Sequence, residues 1–133
     1  MKYPKKVKKL VIMGANLCPD KSAVKIAYIR MARRTKILLN ILGIFNDKAR
    51  HDKKLIKMLL KYPNIDHREL NKISIPTLVL AGDQDIIKED HTKLIASSIP
   101  AAKFIIFPNS THFIPQENPE LFNKTVMKFL FNN

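Results

Sequence analysis

Ile75-Pro76-Thr77-Leu78-Val79-Leu80-Ala81-Gly82-Asp83-Gln84-Asp85 is the stretch on which the fold turns. Leu78 to Ala81 is an apolar run too short for a helix, entered after Pro76 and closed by Gly82, and this is the pattern of a strand buried on both faces, as in parallel sheets. The same grammar occurs upstream in Lys9-Leu10-Val11-Ile12-Met13-Gly14 and downstream in Phe104-Ile105-Ile106-Phe107 before Pro108. Between the second and third runs, Leu94, Ile95, Ser98 and Ile99 are spaced for one helical face within Glu89 to Ile99, and Pro100 ends the pattern. Strand, helix and strand in that order make a right-handed crossover. A last helix is expected from Pro119 to Phe131, with Leu121, Phe122, Val126, Phe129 and Leu130 as its apolar stripe, on the opposite sheet face from the crossover helix. The expected fold class is α/β, with three parallel strands and flanking helices.

Length and composition set the outer limits. One domain fits 133 residues, and 46% hydrophobic with 26% charged residues are values of a chain that packs a core. No window approaches the ~18 uninterrupted apolar residues of a membrane span. Cys18 is the only cysteine, so an internal disulfide and a cysteine-based zinc cluster are excluded, and a reducing cytoplasm is the expected location. The 24 Lys and Arg against 11 Asp and Glu give a net charge of +13, and 19 of the 24 are Lys. A lysine-, isoleucine- and asparagine-rich composition of this kind also follows from an AT-rich genome. Residues 21–72 nonetheless hold 14 basic and 4 acidic side chains, a surface able to attract nucleic acid or anionic lipid. Only Tyr28, Phe45 and Tyr62 are aromatic there, with no stacking pattern, so no specific nucleic-acid site is expected.

Between the first two strands the sequence changes in kind. Ser22 to Leu42 follows a helical period through Val24, Ala27, Met31, Leu38 and Leu42, with Gly43 as terminator. Lys48 to Lys61 places Leu55, Ile56, Leu59 and Leu60 on one side and stops at Tyr62-Pro63. Residues 19–71 thus read as a helical insertion in an α/β frame, and Asn64 to Ser74 is the nearest thing to a linker.

Chemistry enters at two loops. Gly82-Asp83-Gln84-Asp85 follows the second strand and Asn109-Ser110-Thr111-His112-Phe113 the third. Open parallel sheets bind ligands outside the carboxyl ends of their strands, so an acid and a histidine delivered there can face one another. Such a pair serves a hydrolase because the carboxylate fixes the imidazole tautomer and stabilises the imidazolium. Asp83 competes with Asp85 as the acid, since both lie in one turn, and a turn-forming role is the alternative for Asp83. His91 and Thr92 open the crossover helix, where Asp90 or Thr92 could satisfy free amides. His51 and His67 lie in the insertion without metal-ligand spacing, so no metal or other cofactor is expected. Met13, Met31, Met58 and Met127 read as packing residues.

Taken jointly, Ile75 to Asp85, Ile99-Pro100, Thr111-His112, Asn118-Pro119 and Phe129-Leu130 closely resemble the C-terminal end of the α/β-hydrolase fold. The family's acid lies in a Gly-x-x-Asp turn after the seventh strand and its histidine after the eighth, which the resemblance carries to Asp85 and His112. Tyr3 to Asn16 looks like the sixth strand with its approach, and the insertion from Pro19 to about Asn71 looks like the family's cap. The resemblance implies a serine hydrolase acting on an ester-like or other acyl substrate. The nucleophile half is missing: the family motif Gly-x-Ser-x-Gly has no counterpart among Gly14, Gly43 and Gly82. Cys18, Ser22, Ser97, Ser98 and Ser110 do not stand where the family's nucleophile does. The expectation is a truncated hydrolase domain, inactive as an isolated chain. Its partner is expected to be another copy, joined at the exposed Lys9 to Met13 edge or by exchange of the insertion, or a missing N-terminal hydrolase half. A small-molecule ester-like substrate would be bound only by the complete parent. The alternative is a non-catalytic binding or assembly module that uses the basic insertion.

Overall fold

The apolar runs pair in parallel. In the computed structural model, which describes residues 6–131, β1 (Leu10–Met13), β2 (Thr77–Gly82) and β3 (Ala102–Phe107) form one sheet in the order β1-β2-β3. Leu10 stands opposite Thr77 on one side, and Thr77 stands opposite Ala102 on the other. All six residues of β2 are buried. Side chains alternate along a strand, so Leu78 and Leu80 face one side and Val79 and Ala81 the other.

Among the described residues five α-helices follow: α1 (Ile26–Leu42) and α2 (Asp47–Leu59), which pack on each other, then α3 (Glu89–Ser97), α4 (Ile114–Glu117) and α5 (Pro119–Phe131). Val79 packs with Ile95 of α3, Ile99 and Leu17. Leu78 and Leu80 pack with Phe107 and Ile114, against Phe122, Val126 and Phe129 of α5. Thus α3 and α5 cover opposite faces, as the sequence predicts. Lys9 fixes the end of α5: its Nζ donates to the carbonyls of Phe129 and Leu130, both at 3.0 Å, and lies 5.7 Å from the Phe129 ring centroid. A cation on the free carbonyls of a helix C-terminus is favoured by the helix dipole.

Several boundaries differ from expectation for local reasons. The first insertion helix starts at Ile26 rather than Ser22, because Asp20 accepts hydrogen bonds from the Ser22 amide and hydroxyl and folds that segment into a turn. Val24 then bridges Ile87, and the Lys25 amide donates to the Ile86 carbonyl. Gly43 does end α1, but in the right-handed region with φ −68°, so its freedom to adopt positive φ is not used. The Asn46 side chain caps α2 by accepting from the Lys48 and Ala49 amides. The expected linker at 64–74 contains a 3-10 helix, His67–Lys72, capped by Asp66. β3 begins at Ala102, two residues before the apolar run, and α3 ends at Ser97. Neither Asp90 nor Thr92 caps α3: its N-cap is Lys88, without a side-chain cap, and the Thr92 hydroxyl donates to the Lys88 carbonyl. The approach to β1 expected from Tyr3 lies outside the described residues at positions 3–5.

Because Leu80 is wholly enclosed between β1, β3 and α5, Leu80→Ala should leave a cavity that neighbours cannot fill. The expected loss is about 2–5 kcal/mol of unfolding free energy, read from urea denaturation.

Candidate active site

Asp85 is placed by a turn at the carboxyl end of β2. Its amide donates to the Gly82 carbonyl, and its Oδ1 accepts the Ile87 amide at 2.9 Å, so the carboxylate is held by its own backbone. The side chain is 1% exposed, and among the described residues Oδ2 meets no hydrogen-bond donor.

His112 follows β3 in a loop laced to that turn. Asp83 donates its amide to the Phe107 carbonyl, and the Gln84 amide donates to the Ser110 carbonyl. The Asp83 carboxylate in turn accepts the amides of Asn109 at 3.0 Å and Ser110 at 3.1 Å. Asn109 has φ 51°, a left-handed conformation that asparagine tolerates. Glu117 of α4 accepts the Thr111 amide at 2.7 Å and its hydroxyl at 2.6 Å. Two carboxylates therefore fix the three residues before His112. The competition within the turn is resolved by geometry: Asp83 ties the loops together, and Asp85 is the acid that reaches the histidine. Glu117 was not singled out from sequence; a carboxylate in the first turn of a short helix after the loop was the available signal.

The pair meets through His112 Nδ1 and Asp85 Oδ1, 2.9 Å apart. A carboxylate can only accept, so Nδ1 carries the proton of this bond and, in the neutral ring, Nε2 is the unprotonated nitrogen. The His112 side chain is 31% exposed, with the Phe113 ring edge-on at 5.9 Å between centroids. The Asp85 hydrogen bond raises the His112 pKa above 6.5, burial works against it, and the charge of Asp85 adds to the rise. Gly14 completes the seat: at φ +55°, it lies so close that a Cβ there would stand 2.5 Å from His112 Cε1 and 2.8 Å from Nδ1. The end of β1 must therefore be glycine for both conformation and space.

The remaining histidines and nucleophile candidates lie elsewhere. His91 Nε2 accepts the Leu17 amide at 3.0 Å and ties α3 to the loop after β1. Burial lowers its pKa below 6.5, partly offset by the charge of Asp20. Ser22 is bound to Asp20 and lies 3.2 Å from the Cys18 sulfur; Ser97 and Ser98 donate to the Leu94 carbonyl; Ser110 donates to the Pro108 carbonyl. Among the described residues none of these hydroxyls, nor the Cys18 thiol, bonds to His112, and no three His, Cys, Asp or Glu side chains are grouped to hold a metal ion. A groove of about 860 Å³ lies between α5 and the amino ends of the strands, lined by Leu78, Lys103, Ile105, Leu121, Lys124 and Lys128 among others. It is separate from the Asp85 and His112 loops.

No family model matches the sequence. The proline iminopeptidase of Saccharolobus solfataricus is 29% identical over 62 residues, 47% of this chain and 20% of that protein. BpoC of Mycobacterium tuberculosis H37Rv, described as a candidate non-heme bromoperoxidase, matches with a TM-score of 0.72 and 17% identity over 96% of this chain and 59% of its own. MGS-M2, an α/β-hydrolase enzyme from a Medee basin deep-sea metagenome library, matches with a TM-score of 0.67 and 18% identity, over 99% and 59%. The chain has part of the α/β-hydrolase fold.

It spans little more than half the length of these solved structures and one fifth of the iminopeptidase.

Opposite pKa shifts give opposite pH dependences. The stabilisation from the His112–Asp85 bond is fully present below the unfolded histidine value near 6.5 and is lost as pH rises through the raised folded value. For His91 the stabilisation is present above that value and is lost as pH falls through the lowered one. Residue-resolved NMR titration should find His112 above 6.5 and His91 below it. Asp85→Asn should bring His112 down while leaving His91 in place, and Gly14→Ala should do the same to His112 by displacing its ring.

Proposed function

We propose that this chain supplies the acid and histidine of a hydrolase that transfers acyl groups to water. The observation that carries the reading is the 2.9 Å contact of His112 Nδ1 with the buried Asp85 carboxylate at the carboxyl ends of parallel strands. In this reading His112 Nε2 takes the proton of a serine hydroxyl as it attacks the acyl carbon, and returns it to the leaving group. Asp85 stabilises the imidazolium between those steps. Substrate is an ester-like or other acyl compound; likeness to a proline iminopeptidase brings amides into the same class.

The 133 residues hold no Gly-x-Ser-x-Gly, so the nucleophile and the oxyanion donors must come from other residues. The edge of β1 is where they attach in this proposal. Among the described residues β1 pairs only with β2, and a short apolar edge with unpaired amides and carbonyls recruits a strand. A polypeptide bearing the front strands of a hydrolase, or a second copy of this chain, fits there.

The same missing motif favours a second reading, a non-catalytic binding or assembly module that presents the insertion of 19–71 to a partner, with the hydrolase core as scaffold. The two readings part on complementation.

The isolated chain should hydrolyse p-nitrophenyl acetate no faster than its His112→Ala variant. Mixed with the front half of a hydrolase such as MGS-M2, carrying Gly-x-Ser-x-Gly, it should gain turnover, and Asp85→Asn should lower that turnover by roughly 10⁴-fold. Complexes that form but stay inactive would support the module instead. Light scattering of the chain alone should show self-association that Ile12→Lys at the β1 edge abolishes; a monomer indifferent to that change would remove the edge from the proposal.

A further inference from the structure

The helical insertion is poorly buried. α1 and α2 pack chiefly on each other, and Ile29 and Ala49 are their buried residues. One end of this hairpin is tied to the loops after β1 and β2: Lys25 donates its amide to the Ile86 carbonyl, and Ile65 donates to the Leu17 carbonyl. The other end is the turn between the helices, about 25 Å away along a 17-residue α1 at 1.5 Å per residue. Ile37, Leu38, Ile41, Leu42, Ile44 and Phe45 gather there, between 46% and 88% exposed. Asn46 caps α2 immediately behind them, so the tip is a built turn.

Charge runs along both helices behind the tip. Residues 26–62 carry ten Lys and Arg against two Asp, a net charge of +8. Arg50 pairs with Asp47, whereas among the described residues Arg30, Arg33, Arg34, Lys53, Lys54 and Lys57 have no ion-pair partner. The occupant of this surface must accept an apolar wedge and be anionic around it. A second copy docking hairpin to hairpin meets the first condition and fails the second, since it brings +8 against +8. Nucleic acid meets the second and fails the first, because the tip offers Ile and Leu where base stacking asks for aromatic rings. An anionic bilayer meets both: the acyl boundary takes the apolar turn, and the headgroups face the cations.

We propose that the α1–α2 hairpin is a peripheral membrane-docking element, which inserts Ile44, Phe45 and their neighbours into the interface of an anionic bilayer while its Arg and Lys side chains bind the headgroups. It lies on the surface without crossing; among the described residues no helix is long and apolar enough to cross a membrane. The inference stands apart from the acyl-transfer reading, because it uses none of Asp85, His112 or the β1 edge.

The test is co-sedimentation of the full chain with phosphatidylcholine vesicles, with and without phosphatidylglycerol. Binding should require phosphatidylglycerol and weaken as salt rises. Ile44→Ser with Phe45→Ser should lower affinity about tenfold or more, since burial of one large apolar side chain is worth that much. Arg33→Glu with Arg34→Glu should lower it comparably. These positions are exposed, so unchanged circular dichroism should accompany the loss. No sedimentation with anionic vesicles, equal sedimentation with neutral ones, or indifference to the tip substitutions overturns the proposal. Conversion of an oligomer to a monomer by the tip substitutions, without vesicle binding, overturns it in favour of self-association. Binding of a DNA duplex lost in the Arg variant but kept in the tip variant, again without vesicle binding, overturns it in favour of nucleic acid.

Discussion

Burial of β2 on both faces is the constraint on which the remainder of the molecule depends. Thr77 to Gly82 can lose solvent completely only if its backbone is paired on both edges, which β1 and β3 supply, and if both faces are covered. Val79 draws in α3 and the loop after β1, and Leu78 with Leu80 draws in Phe107, Ile114 and α5. The two cores are joined by one strand, so each face is held partly by the other. Both functional loops leave from β2 and its neighbour β3, and their positions inherit the rigidity of that strand.

Rigidity of the strands alone would not bring Asp85 and His112 into contact, because each lies beyond the end of its strand. The gap is closed by polar groups that never touch the pair's shared bond. Asp83 holds the start of the His112 loop, Glu117 holds Thr111 from the far side, and Gly14 leaves the room that the ring occupies. Charge-assisted hydrogen bonds from carboxylates to backbone amides are short and directional, which suits them to fixing a loop. The acid thus has few remaining donors: Oδ1 is shared by the Ile87 amide and His112, and Oδ2 is buried without one. A carboxylate so placed depends on the imidazolium for compensation, and this is the physical basis of the raised His112 pKa.

The molecule has two parts of opposite character. The sheet with α3, α4 and α5 closes around apolar clusters, whereas the hairpin leaves large apolar side chains in water beside unpaired cations. The sheet edge at β1 presents backbone groups and the hairpin presents side chains, so the two surfaces differ in chemistry.

The sequence by itself determined the strands, their parallel pairing, the crossover helix, the C-terminal helix and the two loops that carry the acid and histidine. It could do so because short apolar runs between Pro and Gly, and helical spacing of apolar residues, are local signals set by backbone geometry and burial. The loops after β2 and β3 were legible for the same reason, with His112 in one and both Asp83 and Asp85 in the other; only the resemblance to the hydrolase fold favoured Asp85. Only the tertiary structure decided what Asp83, Glu117, Gly14 and His91 do. Asp83 and Asp85 share one turn and one residue type; what separates them is that one points at the amides of Asn109 and Ser110, 26 and 27 residues along the chain, and the other at an imidazole. His91 was placed on a helix start by its sequence, yet its bond is to Leu17, 74 residues away. The insertion was legible as two helices, but periodicity records which side chains share a face and not whether anything covers that face. That is a property of the neighbours, and it is why the bare apolar tip of the hairpin emerges only once the chain is folded.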